Sequence, residues 1–383
     1  MKILDVEPIP LQMPLERVFT GGTYQVKHRN TIVVRITTDE GLVGETYGGD
    51  EDLYQEQVVS VIRDHFRPLL VGRDPFMVEE LNQQMCSMFI DLGHRGLHAL
   101  DMARHAIQMQ AVSAVDVALW DLLGKATGQP LYKLLGGFRT ELPVISIGGY
   151  YSPDGSLEPL VAEVELCKRV GVAGIKMKVG RASLKVDLER VRTVREAGGP
   201  DFLIACDANQ GWTVRDAIQF AREVEPLDIA WLEEPVVWYD CVEGLRRVRE
   251  ATRIPVCSGQ GEVSRQGVRD LVMRGSVDII NADVTMMGGV TQWRKMCGMA
   301  ECFDVTLGHH EEPQVAAHLL ASVPDHTFVE CFDEERDPFF WNLANLADRI
   351  KDRRYHVPTG PGFGIEFDWD YVRRHTVERR VSP

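Results

Sequence analysis

A chain of 383 residues with a net charge of −15 has room for one large or two ordinary domains and repels polyanions, which sets nucleic acid and anionic membrane surfaces aside as partners. Hydrophobic residues make up 44% and charged residues 26%, a balance suited to a soluble globular fold. The eight cysteines form no C-x-x-C pair, Met1-Lys-Ile-Leu-Asp opens no apolar signal stretch and no 18-residue apolar run occurs, so a reduced, cytoplasmic protein without zinc or dithiol chemistry is expected.

Residues 1 to about 50 read as antiparallel β-structure. Thr31-Ile-Val-Val-Arg-Ile-Thr-Thr is rich in β-branched residues, Asp39-Glu-Gly supplies a turn, and Leu42-Val-Gly-Glu-Thr returns. The intervening segment 17–30 holds Gly21-Gly22 and the polar or basic side chains of Thr20, Thr23, Tyr24, Lys27, His28 and Arg29. It suits either a mobile flap or an ordinary surface hairpin. Residues 51 to about 135 read as helices. Within 111–125, Val112, Val115, Leu119 and Leu122 make one apolar face, and Gly128 with Pro130 ends the helix. Residues 1–135 are therefore expected to form an α+β domain.

From about residue 140 the rhythm changes. Strand-like cores begin at Val144, Ile175, Leu203, Ile229, Ile254, Val277, Val305 and Thr327, and most gaps carry a helical pattern, as in Ala217-Ile-Gln-Phe-Ala-Arg-Glu-Val. Eight repeated βα units of this length predict a closed parallel barrel over 136–354, an α/β fold, rather than an open sheet. The rhythm lapses after Asp337, and Gly360-Pro-Gly-Phe-Gly-Ile-Glu-Phe reads as a turn and short strand. The segment from about 355 to 383 is expected to pack back on the first domain.

Reactive side chains gather at the strand ends. Asp207, Glu233 and residue 260 recur at steps of 26 and 27 residues, so they converge from adjacent strands at the barrel's C-terminal rim. Two carboxylates and a third oxygen there suit Mg²⁺; rim salt bridges are the alternative. Lys176 and Lys178 lie two residues apart on one strand and share a face. The apolar Ile175, Met177 and Val179 claim the helix-covered exterior, which turns the lysines inward. Burial and mutual repulsion are expected to lower the pKa of one and make it a base. Asp283 and His310 end the next two strands 27 residues apart, an arrangement in which a carboxylate orients an imidazole for proton transfer. Glu330 closes the ring.

On these residues the chain resembles the mandelate racemase and muconate lactonizing enzyme family of the enolase superfamily. The resemblance spans essentially the whole chain and rests on the helix 111–125, the Lys176-Met-Lys178 pair, Asp207-Ala-Asn209, Leu232-Glu-Glu-Pro235 and the late Asp283/His310 pair. It implies an α+β capping domain over a (β/α)7β modified TIM barrel and one Mg²⁺ per subunit, with Mn²⁺ as a substitute. It also implies a homo-oligomer, from dimer to octamer. The reaction it implies is removal of the proton alpha to a carboxylate, giving an enediolate stabilised by the metal. Carried over residue by residue, Lys178 is a catalytic base and Lys176 contacts the substrate carboxylate and tunes its partner. Asp207 and Glu233 are metal ligands. Asp283 supports the catalytic His310, with His309 the less favoured neighbour. Glu330 hydrogen-bonds the substrate carboxylate, and Asn209 reaches the substrate.

One position departs from the family pattern. Where a glutamate usually supplies the third ligand, this chain reads Ile254-Pro-Val-Cys-Ser-Gly-Gln-Gly-Glu. Gln260 is the expected ligand through its amide oxygen, with Glu262 as the alternative. Lys178 and His310 face each other across the barrel, which permits dehydration or racemisation alike. The polar segment 17–30, with Tyr24 and His28 as substrate contacts, favours a small acid sugar and a dehydratase yielding a 2-keto-3-deoxy acid. A racemase, epimerase or cycloisomerase is the alternative. A non-catalytic relative, with Gln260 as the first sign of decay, would be expected to have lost some of Lys178, Asp283, His310 and Glu330, all of which are present.

Overall fold

The computed structural model describes residues 1–49, 53–93, 102–346 and 349–377. Three strands open the chain, β1 (Ile3–Thr20), β2 (Gln25–Thr38) and β3 (Val43–Tyr47), in an antiparallel meander. The β1–β2 ladder runs out to the pair Thr20–Gln25, so the segment expected as flap or hairpin is a β-hairpin with its tip at 21–24. It is not a free surface feature. Thr23 Oγ1 donates to the Asn209 carbonyl at 2.8 Å, and Tyr151 N–H to the Thr20 carbonyl at 3.0 Å. A Cβ on Gly22 would stand 2.5 Å from the Ala208 carbonyl oxygen and 2.7 Å from that of Val179. Main chain cannot yield as a side chain would, so only glycine lets the tip seat on the barrel. Gly22→Ala is expected to lift the tip at a cost of about 1–3 kcal/mol, read as a raised KM with a nearly unchanged melting temperature; an unchanged KM would show that the seated tip is not needed for substrate binding.

Helices Gln55–Val61, Val78–Gly93 and Met102–Thr127 complete the capping domain. The last was expected to bury one face. Residues 111–124 are instead buried all round, because the helix is the seam between sheet and barrel. Its Trp120 Nε1 donates to Thr291 Oγ1 at 2.9 Å, and Asp116 accepts the Thr291 N–H at 3.0 Å. Asp121 accepts the N–H groups of Glu45 and Phe363, both at 2.9 Å, and so ties the meander to the chain's end. Its stretch Arg104–Thr127, with a mean hydropathy of 1.2, is long and apolar enough to cross a membrane, but 78% of that window is buried inside the protein.

Eight parallel strands follow: β4 (Glu141–Gly148), β5 (Gly174–Lys178), β6 (Leu203–Asp207), β7 (Ile229–Glu233), β8 (Val256–Ser258), β9 (Ile279–Ile280), β10 (Thr306–Leu307) and β11 (Val329–Cys331). They pair in sequence order, β11 pairs β4, and a Leu307–His326 bridge joins β10 to the approach of β11, closing the barrel. Helices cover the outside, and Ile175, Met177 and Val179 pack under them in the main core as expected. The end of the chain packs on the first domain as expected, but its start first joins the barrel. A short hairpin places Arg354–His356 antiparallel to Glu141–Pro143 of β4, so Tyr355 and His356 extend the barrel sheet. Tyr355 and Val357 pack with Tyr132, and the Gly362 carbonyl accepts the Leu131 N–H at 2.9 Å. The helix Trp369–His375 then reaches β1, and Val377 N–H donates to the Pro10 carbonyl at 2.9 Å. Residues 378–383 of this segment lie outside the described residues. All eight cysteines are free.

Candidate active site

Strand register sets the site. Lys178, Asp207 and Glu233 are the last residues of β5, β6 and β7 and are paired across the ladder, so their side chains stand in one row at the mouth. Lys178 Nζ lies 2.6 Å from Asp207 Oδ2. Lys176 Nζ lies 2.9 Å from Glu233 Oε1 and 2.7 Å from Glu330 Oε1. These groups are almost fully buried. The expectation of a lowered lysine pKa is therefore corrected. Burial alone would lower both, but Asp207 holds Lys178, and Glu233 with Glu330 hold Lys176, well above the ordinary range. Each ammonium has a carboxylate in contact, which outweighs repulsion between the two lysines.

The donor set around Asp207 and Glu233 fits a hard divalent cation. Glu233 accepts from Lys176, from Asn281 Nδ2 at 2.9 Å and from Trp231 Nε1 at 3.0 Å, and burial pushes its pKa up to about 7 against the pull of Lys176. Three amide oxygens nearby, Asn209 Oδ1, Gln260 Oε1 and Asn281 Oδ1, are buried without a hydrogen-bond partner. Such orphaned oxygens are costly unless something positive meets them. The orientation of Gln260 is dictated chemically: its Nε2 donates to Glu234 Oε2 at 2.8 Å, which turns its oxygen the other way. Glu262, the alternative ligand, points elsewhere. Its carboxylate lies over Gly267 at the start of the helix Arg265–Met273, where any Cβ would collide with it. Replacing Gln260 with glutamate adds ligand charge, so Gln260→Glu is expected to tighten Mg²⁺ binding about tenfold, measured by calorimetry. An unchanged Kd would remove residue 260 from the ligand set.

Across the mouth, His310 Nδ1 lies 3.1 Å from Asp283 Oδ2, and the ring is 22% exposed. Asp283 Oδ1 is fixed by the Thr285 N–H and hydroxyl, both at 2.7 Å. On the other side of the ring, Nε2 is 3.5 Å from Glu311 Oε1. Burial would lower the His310 pKa, but Glu311 and Asp283 push it up to about 9, leaving an imidazolium. His309 is different. Its Nε2 accepts the Val284 N–H at 3.1 Å and its Nδ1 faces the Glu311 carbonyl at 3.3 Å, so it is a neutral, satisfied core histidine whose pKa burial lowers. Asp283, His309 and Glu312 bring ligand-type atoms within 4.8 Å of one another. Both His309 nitrogens are already engaged with main chain, and burial next to Asp283 pushes the Glu312 pKa up, so this cluster is a poorer cation site than the oxygens around Asp207.

Of the hairpin residues, Tyr24 reaches the site: its ring centroid is 5.8 Å from Lys178 Nζ, with Tyr150 on another side at 5.7 Å. His28 is half-buried on β2, and among the described residues its side chain makes no hydrogen bond or ion pair at the mouth. Arg29 is buried and salt-bridged inside the protein, so it is not a free substrate contact. Asn209 spends its N–H and Nδ2 on Asp207, at 2.9 and 3.0 Å. Glu234, Asn281, Tyr150 and Glu311 also belong to the site, beyond the residues expected from the sequence. Glu234 sits inside the Glu233-Glu-Pro235 run, and Asn281 and Tyr150 follow strand ends, which was the available signal. Five non-glycine residues here, Asn209, Gln210, Glu234, Glu311 and Glu312, have left-handed backbone, a strain that persists only where surroundings over-determine it.

Residues 5–136 match the model of the mandelate racemase/muconate lactonizing enzyme N-terminal domain, and residues 160–371 match the enolase C-terminal domain-like model. The chain is a member of the mandelate racemase/muconate lactonizing enzyme family. It is 33% identical to a 3,6-anhydro-alpha-L-galactonate cycloisomerase of Streptomyces coelicolor over 96% of this chain and 97% of that one. An arabinonate dehydratase of Saccharolobus solfataricus is 32% identical over 73% and 72% of the two chains. A family member from a marine actinobacterium, solved in complex with magnesium, shares the fold with a TM-score of 0.88 and 39% identity, covering 98% of this chain and 99% of that one. Members of this enolase-superfamily family thus include both dehydratases and cycloisomerases.

Proposed function

We propose that this protein is a Mg²⁺-dependent acid-sugar lyase that removes the proton alpha to a carboxylate and expels the oxygen on the next carbon, giving a 2-keto-3-deoxy acid. The observation that carries this reading is His310 in the loop after β10, its Nδ1 3.1 Å from Asp283 Oδ2, across the mouth from Lys178. Asp207, Glu233 and Gln260 would hold the cation, which when bound would supply positive charge beside the substrate carboxylate. Lys178, in its neutral form, accepts the C2 proton. Lys176, itself positioned by Glu330, holds and orients the carboxylate end. His310 then donates its Nε2 proton to the departing oxygen, which a neutral histidine does less well. The seated hairpin, with Tyr24 and Tyr150 around Lys178, excludes water from the base.

A second reading follows from the same chemistry and from the cycloisomerase relative. Where the departing oxygen is a hydroxyl, water leaves and the enzyme is a dehydratase. Where that oxygen belongs to a ring, nothing leaves and the product is an isomer. The test is a panel of aldonates, aldarates and anhydro-aldonates incubated with Mg²⁺ and assayed for keto acid by mass spectrometry. Keto acid from at least one compound supports the reading; a product epimeric at C2, with no keto acid, overturns it in favour of a racemase or epimerase.

A further inference from the structure

Glu311 follows His310 directly, yet its backbone is left-handed at φ 48°. That turn brings its carboxylate back over the ring of its own neighbour, 3.5 Å from Nε2 and on the side away from Asp283. Separate parts of the fold hold it there. Arg29 Nη2, from the capping hairpin, lies 3.3 Å from Glu311 Oε2, and the same guanidinium is 2.9 Å from Asp337 Oδ2, beyond the barrel. The Glu311 N–H donates to Glu330 Oε2 at 3.2 Å. Arg29 is 3% exposed, with the rings of Phe332 and Phe340 at 5.1 and 4.8 Å, so solvent does not screen this pair as it would a surface one.

We propose that Glu311 is a positioning residue for the proton on His310: its carboxylate, fixed by Arg29 of the capping domain, keeps the ring doubly protonated until substrate arrives. The proposal rests on the lyase reading given above. In the reacting step the Nε2–H bond breaks and a new O–H bond forms on the departing oxygen. That oxygen leaves carbon with the C–O electron pair, and the ring ends neutral with its Nδ1–H on Asp283. The acid is thus set by the capping domain as well as by the barrel.

The charged groups facing the ring are Asp283 beyond β9, Lys176 on β5 and Glu234 after β7. His309 and Glu312 flank it on its own loop, and Lys178 and Glu330 face Glu311. Among the described residues only Asp283 and Glu311 form ion pairs with its nitrogens. Lys176 opposes them, and Asp283 is common to any catalytic histidine built this way, which leaves Glu311 as the adjustable partner.

The test uses the Mg²⁺-loaded protein, wild type, Glu311→Gln and Glu311→Asp. Diethyl pyrocarbonate modifies neutral imidazole, so the pH dependence of His310 modification, read by tandem mass spectrometry, reports its protonation without any turnover. The midpoint in Glu311→Gln is expected to fall by about 1–3 pH units, with Glu311→Asp, which keeps the charge, between it and wild type. The basic limb of kcat/KM should move by the same amount. Equal midpoints in wild type and Glu311→Gln would overturn the proposal. A shifted midpoint in a protein that makes no keto acid would leave the proposal standing and remove the lyase reading, so the two failures are distinguishable.

Discussion

Lys178→Ala is expected to lower kcat by about 10²–10⁴-fold while leaving the fold intact in the presence of Mg²⁺. Lys178 ends β5 at the mouth, with its amine 2.6 Å from Asp207 and two tyrosine rings around it, so no other described amine replaces it on that face. Lys176 is the nearest alternative, and it is held by Glu233 and Glu330. Removing Lys178 leaves Asp207 buried without its counter-ion, and breaking one side of a buried pair costs about 3–5 kcal/mol. A divalent cation gives Asp207 another partner. The variant should therefore melt well below wild type without metal and recover most of the difference when Mg²⁺ is added. Equal melting temperatures with and without Mg²⁺ would contradict the assignment of Asp207 as a ligand, whatever the effect on turnover.

His310→Asn is expected to lower keto-acid formation by a similar factor, about 10²–10⁴-fold, yet to leave exchange of the C2 proton with solvent measurable, because Lys178 is untouched. Exchange and elimination lost together would instead make His310 part of proton removal. The pH profile gives the same assignment a sign. With its pKa raised to about 9, His310 is protonated below that value, so kcat/KM should be sustained through neutral pH and fall as pH rises through about 9. The linked stability has the same direction: it is fully present below the unfolded histidine value near 6.5 and is lost as pH rises through about 9. In His310→Asn that basic limb should disappear.

The barrel was legible because most of its strands are apolar runs that end on or near a charged or amide residue at similar spacing, and that spacing places side chains at one rim. The inward lysines were legible from the alternation of Ile175, Met177 and Val179 around them. Their protonation was not, because it is decided by carboxylates on other strands, and pairing across a ladder is a matter of register. The choice between Gln260 and Glu262 was open for a similar reason. It depends on the turn at Gly259, with φ 135°, which sends Gln260 toward Glu234 and Glu262 out over Gly267. The helix 111–125 was read as one-faced because periodicity reports the strongest stripe and not the second surface that covers the rest. Arg29 read as one of the exposed polar side chains of segment 17–30 because basic residues in a polar loop usually face water. The rings of Phe332 and Phe340, distant in sequence, bury it.

The measurement that bears most directly on the central claim is proton NMR of the product formed in D₂O with Mg²⁺ from whichever acid sugar proves active. Elimination with His310 as acid predicts a 2-keto-3-deoxy acid carrying one deuterium at C3, with water lost or, for a ring substrate, composition otherwise unchanged. Deuterium at C2 of a product that keeps its C3 oxygen would contradict it and make the protein a racemase or epimerase.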